Sequence, residues 1–135
     1  MTVTFTVAGT PAPQGSKTRT RYGMFESSKR VKPWRELVHA AAVRAGDDVC
    51  LLGPLTPPYR VEMTFRIQKP RTSRAKHPVA PTIGDIDKLT RAVGDALTSA
   101  GLIEDDRHII TLTAEKEWAE DGEKAGVTVR VTEIG

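Results

Sequence analysis

Asp85-Ile86-Asp87-Lys88-Leu89-Thr90-Arg91-Ala92-Val93-Gly94-Asp95-Ala96-Leu97-Thr98-Ser99-Ala100-Gly101 is the stretch on which the fold turns. Leu89, Ala92, Val93, Ala96, Leu97 and Ala100 recur at i, i+3, i+4, i+7, i+8 and i+11, which is one face of an α-helix. Gly101 suits the left-handed turn that closes a helix, so the spacing predicts a helix over 85–101. Immediately upstream, residues 59–68 alternate Tyr59, Val61, Met63, Phe65 and Ile67 with polar neighbours, the period of a strand. Downstream, 109–118 and 125–131 read as two more strands joined by an acidic turn at 120–124.

Further out, Val3, Phe5 and Val7 alternate with Thr2, Thr4 and Thr6, predicting an N-terminal strand that the Gly9-Thr10-Pro11-Ala12-Pro13-Gln14-Gly15 segment ends. Residues 17–28 suit a short hairpin turning near Gly23. Val31, Trp34, Leu37, Val38, Ala41 and Ala42 repeat at helical spacing, with Pro33 in the first turn, predicting a helix over 31–45. Residues 47–58 form a loop, and 69–84, with three prolines and few apolar residues, form a second loop that orders on a ligand. The order β, hairpin, α, β, α, β, β predicts an α+β protein. It is a single small domain spanning 1–135, with a mixed β-sheet flanked by two main helices.

The whole chain has 135 residues, 39% hydrophobic and 27% charged, which suits one globular core and excludes wholesale disorder. Its longest apolar runs are a few residues, against the roughly 20 needed to cross a bilayer. The first residues lack the basic and apolar regions of a signal peptide, so a cytoplasmic protein is expected. Cys50 is alone, which excludes an internal disulfide or a cysteine zinc cluster. With only His39, His77 and His108, and no G-x-S-x-G elbow, the chain has no sign of a serine or cysteine hydrolase.

Net charge is +3, but it is unevenly spread. Residues 11–45 carry eight Lys or Arg against two acids, and 60–91 carry eight against three. Residues 92–135 carry ten acids against four bases. A basic front half points to a polyanionic partner, with ordinary solvated surface as the competing explanation.

The acids at the helix ends carry the chemistry. Asp85 and Asp87 flank Ile86 at the predicted helix start, and Glu104-Asp105-Asp106 follow its end. A single acid at a helix start is adequately explained as a cap that complements the dipole. Two at i and i+2, preceded by a basic loop, lie on one side of an extended segment and suit a hard divalent cation with oxygen ligands. The acids at 104–106 join them only if the chain doubles back, which the spacing permits without requiring. Asp87, Arg91 and Asp95 fall within about 80° on the helix surface, opposite the apolar stripe. Arg91 there either neutralises a phosphate or forms an i, i+4 ion pair with Asp87, worth about 0.3–0.5 kcal/mol.

Residues 84–109 resemble the central block of the RusA family of Holliday-junction resolvases, roughly D-x-D-N-L-x-K, then D-A-L in a helix, then D-D before a strand. The matching residues are Asp85-Ile86-Asp87-Lys88-Leu89-Thr90-Arg91, Asp95-Ala96-Leu97 and Asp105-Asp106. Lys116 matches a lysine near the end of the following strand. The resemblance implies a small homodimeric, magnesium-dependent endodeoxyribonuclease, with manganese as a substitute. Such an enzyme binds four-way DNA junctions and resolves them by paired symmetric nicks, and a phage or prophage source fits it. It implies Asp85, Asp87 and Asp106 as metal-binding carboxylates, with Asp105 the weaker member of its pair.

The family's catalytic lysine falls on Arg91, and Lys88 stands where the family usually has Asn. Arg91 keeps the positive charge but cannot give up a proton near neutral pH, so its role is electrostatic. The expected DNA contacts are Lys17, Arg19, Arg21, Lys69, Arg71, Arg74, Lys76, Lys88 and Lys116. The competing reading is a non-catalytic DNA-binding module whose basic surface does the work, with Tyr22, Phe25 and Trp34 as stacking groups and the acids as mere caps. Trp34 fits the core better, given its place in the helix stripe.

Overall fold

A computed structural model describes the backbone of residues 1–15, 17–20, 23–26 and 29–135, with side chains described outside 16–28. The strands are β1 (Thr2–Ala8), β2 (Lys17–Thr20), β3 (Gly23–Glu26), β4 (Tyr59–Ile67), β5 (Ile109–Trp118) and β6 (Gly126–Glu133). The helices are α1 (Val31–Asp48) and α2 (Ile86–Ser99), with a single 3-10 turn at Asp106–His108. The mixed α+β architecture agrees with the sequence patterning. α1 runs three residues beyond the expected end, and β2 and β3 pair as the expected hairpin.

The main sheet has the order β1-β6-β4-β5. β4 and β5 are parallel neighbours, whereas β6 runs antiparallel to both β4 and β1. Thus β5 and β6, consecutive in sequence, do not pair; β4 lies between them. Alternation decides the faces. Tyr59, Val61, Met63 and Phe65 of β4, Val127, Val129 and Val131 of β6, and Val3 and Val7 of β1 are buried together. The opposite face is polar and includes the cross-strand pairs Thr6–Thr128 (3.2 Å) and Arg130–Glu62 (3.7 Å).

Both helices pack into the same core. Val31, Trp34, Val38, Ala42 and Ala45 from α1 meet Leu89, Ala92, Val93, Ala96 and Leu97 from α2. Trp34 is therefore a core residue, 2% exposed. Leu37, expected in the stripe, is 48% exposed, because the buried line runs through 34, 38, 42 and 45 and leaves 37 at its edge.

The parallel pairing of β4 and β5 positions everything that follows. Adjacent parallel strands need a return path outside the sheet, which here is α2. α2 therefore starts near the C-terminal ends of β4 and β5 and ends near their beginnings. The loop 69–84 belongs to the first of these ends. It is tied down rather than waiting for a ligand: Trp118 Nε1 donates to the Ala75 carbonyl at 2.9 Å and Arg30 donates to the Thr82 carbonyl at 3.2 Å. Pro78 is buried within it.

Candidate active site at the head of helix α2

Asp85 occupies the N-cap of α2 with extended backbone angles, yet its side chain caps no helix N–H. The carboxylate is 73% exposed and pairs with Lys88 at 3.7 Å. Asp87, in the first turn, is exposed as well. The capping explanation therefore fails for Asp85. It holds at the other end of the helix, where Asp105 accepts the Arg107 N–H at 2.9 Å and starts the 3-10 turn. The expected Asp87–Arg91 ion pair is also absent among the described residues; the pair formed is Asp85–Lys88, at i and i+3.

Three neighbours shape this head. Lys116, near the end of β5, donates to the Gly84 carbonyl at 3.1 Å, anchoring the residue before Asp85. The cation expected to touch DNA is thus half-buried and holds the chain. The segment 9–15 lies along α2: the Gln14 N–H donates to the Lys88 carbonyl at 3.0 Å. The Gln14 amide donates to Asp95 and accepts from Arg35 at 2.8 Å, linking this segment to both helices. Glycine is required twice here. Gly84, at φ +98°, would place a Cβ 2.6 Å from Pro13, and a Cβ on Gly15, at φ +92°, would strike the Arg91 guanidinium. Gly15→Ala is expected to displace Arg91 and lower cleavage more than DNA binding, as rate and affinity measured side by side would show.

Gln14, Gly15 and Arg35 escape a sequence reading that takes 9–15 only as the end of a strand. The available signal is Asp95 and Arg35, polar groups beside the buried stripes of two helices.

Basic side chains collect at the same end. Lys69 lies 5.9 Å from the Trp118 ring, and Arg71, Arg74 and Lys76 are exposed along the loop or partly so. A cleft of about 310 Å³ opens between this loop and the sheet, lined by Arg30, Pro70, Thr72, Ile83 and Trp118 among others. Lys17, Arg19 and Arg21, expected as DNA contacts, and Tyr22 and Phe25 lie outside the described side chains.

The model of Endodeoxyribonuclease RusA matches residues 6–132 of the 135-residue chain. The chain belongs to the RusA family. A search of curated proteins finds no match. Membership places the chain among nucleases that cut within DNA, a family of Holliday-junction resolvases.

The RusA pattern also brings in Asp106, expected as a third metal-binding carboxylate beside Asp85 and Asp87. Among the described residues, no three His, Cys, Asp or Glu side chains stand close enough to hold a metal ion. The chain does double back after α2, but it returns Lys116 to Gly84, not Asp106. Asp106 sits at the opposite end. There Glu104 N–H donates to the Tyr59 hydroxyl at 3.1 Å and Leu55 N–H to the Leu102 carbonyl at 2.9 Å. Asp106 lies within electrostatic reach of Asp95, two turns along α2 from Asp87.

The pKa values of Asp105 and Asp106 are shifted in opposite directions. Asp105 is held below its ordinary pKa chiefly by the Arg107 N–H, whereas desolvation and then the neighbouring Asp105 and Asp95 raise that of Asp106. A raised carboxylate pKa means that the fold disfavours the charge above the ordinary value near 3.8, and the difference vanishes at pH values where both states are protonated. Asp106→Asn should therefore melt slightly higher than the parent at pH 7, on the order of 1 °C. The gain should disappear as the pH falls below the ordinary carboxylate range. A parent that melts higher than the variant at pH 7 would contradict this.

Proposed function

We propose that this protein is a junction-resolving endonuclease that acts on four-way DNA as a homodimer, with magnesium, or manganese in its place, as cofactor. The observation that carries the reading is the pair of exposed carboxylates at the head of α2, Asp85 capping no helix N–H, beside a basic loop. A module that only binds DNA gains nothing from acids that repel phosphate within its basic surface.

Each residue has a distinct task. Lys69, Arg71, Arg74 and Lys76 draw the phosphate backbone to the loop. Asp85 and Asp87 offer oxygen ligands, with Lys88 offsetting part of their charge. Arg91, backed by Gly15, presents a fixed guanidinium to the scissile phosphate and stabilises charge developing there. A hard divalent cation, when bound, supplies charge neutralisation and orients water. Two equivalent strands exchange at a four-way junction, so a two-fold enzyme matches the substrate's symmetry.

Cleavage of a synthetic four-way junction and of linear duplex of the same sequence, with and without magnesium, tests this. Magnesium-dependent cutting of the junction alone is expected; equal cutting of linear duplex, or none of either, would refute it. Replacing Lys69, Arg71, Arg74 and Lys76 by Ala should weaken junction binding and flatten its salt dependence. The log–log slope should fall by up to about 0.9 for each phosphate that the loop no longer neutralises. An unchanged slope would mean that the loop is merely solvated.

A further inference from the structure

We propose that the cleft between loop 69–84 and the ends of β4 and β5 binds one nucleobase drawn out of the DNA stack. The inference rests on the reading above, that the basic loop holds DNA, and deepens it by naming where a base of the bound strand goes.

The cleft combines apolar walls with a polar rim. Among the described residues, Pro11, Ile67, Pro70, Ile83 and Trp118 supply the apolar lining. Gln68, Thr72 and Ser73 add an amide and two hydroxyls, groups that both donate and accept. A flat ring with hydrogen-bonding edges matches that lining, since its faces bury against apolar side chains while its edges find partners. At about 310 Å³ the cleft stands at the small end of small-molecule sites, which gives room for one base and not for a helix.

Its aromatic wall is held in place. The Trp118 indole N–H donates to the Ala75 carbonyl at 2.9 Å, and the Lys69 ammonium lies 5.9 Å from the ring centroid. An indole already fixed in this way loses little freedom when a base stacks on it. Arg30 is fixed likewise, by its bond to the Thr82 carbonyl at 3.2 Å, and its guanidinium carries further N–H donors.

The surroundings decide the class of ligand. Lys69, Arg71, Arg74 and Lys76 stand on the loop that forms one side of the cleft, and such charge draws a polyanion rather than a free apolar molecule. A base stacked in duplex shows only its edges, so it must leave the stack to enter. That costs least where a strand is unpaired or lacks a continuous neighbour, as beside a strand exchange. Ile83, in the lining, precedes Asp85 by two residues, at most about 7 Å of chain. The base in the cleft therefore belongs to a nucleotide at or next to the phosphate that the head of α2 faces.

Two measurements test this. The first titrates the protein with each of the four deoxynucleoside 5′-monophosphates and with deoxyribose 5-phosphate, following the indole N–H signals by NMR. Trp118→Phe assigns the signal of Trp118 against that of the buried Trp34. At least one nucleotide is expected to shift the Trp118 signal to saturation while the sugar phosphate leaves it in place. No shift with any nucleotide, or an equal shift with the sugar phosphate, would overturn the proposal.

The second measures binding, without magnesium, to four-way junctions that carry one abasic site at successive positions around the exchange point. One position is expected to weaken binding at least 5-fold, and its neighbours less than 2-fold. Ala80→Trp and Thr72→Trp, each filling the cleft from an exposed position of its lining, should weaken binding of the intact junction by the same factor. They should bind the abasic junction as the parent does, because the interaction is already gone. A flat abasic series, or filled variants that still discriminate, would overturn the assignment to a base of the bound strand. A protein that passes both tests and cuts no junction with magnesium would refute the cleavage reading and leave the pocket standing.

Discussion

Asp87→Asn is expected to give a protein that binds four-way junctions and does not cut them. The substitution is nearly isosteric and falls on an exposed position of the first turn of α2, so the fold should survive it. What disappears is one negative oxygen ligand for a hard cation. Loss of a single preorganised charge-stabilising element commonly costs about 10²–10³ in rate, and a comparable loss is expected here. Binding without metal should stay equal or tighten slightly, because one carboxylate no longer repels the incoming phosphate. The signature is therefore a divergence, with rate falling and affinity holding. Parent-like cutting would make Asp87 a surface acid of the helix start and nothing more.

Arg91→Ala should lower cleavage about 10²-fold, whereas Arg91→Lys should keep most of it. No described acid pairs with Arg91, so its removal breaks no ion pair among those residues and costs little stability. The side chain instead packs over Gly15, where the missing Cβ makes room for the guanidinium. Arg does not release a proton near neutral pH, so only its charge and position can matter. Lysine carries the same charge and restores the residue type of the RusA pattern. Rates for both variants on one junction, with melting temperatures alongside, decide this. An Arg91→Ala variant that cuts like the parent would leave the residue without a part in the reaction.

The sequence discloses what is periodic and local. The alternation of β1, β4 and β6 and the apolar stripe of α2 identify these elements, because a single buried face forces a regular pattern. The two acids at the start of α2 are legible for the same reason: a strong helix fixes where its first turn lies. Pairing partners are not local. Nothing in residues 109–118 or 126–133 says that β4 lies between them, so the distance from Asp87 to Asp106 is invisible until β4 and β5 are seen to be parallel. Lys116 illustrates the same limit. Its position suggests a DNA contact, but only the fold shows it holding Gly84. Gln14 and Gly15 are missed because an irregular segment has no period, and their importance comes from lying on α2.

A plasmid carrying an extruded cruciform gives the most direct test, because its product distribution reports how many strands are cut in one encounter. With magnesium, the account predicts linear plasmid from paired nicks across the four-way junction, while relaxed plasmid without a cruciform stays intact. Nicked circles alone, equal attack on the relaxed plasmid, or full activity in chelator would contradict it.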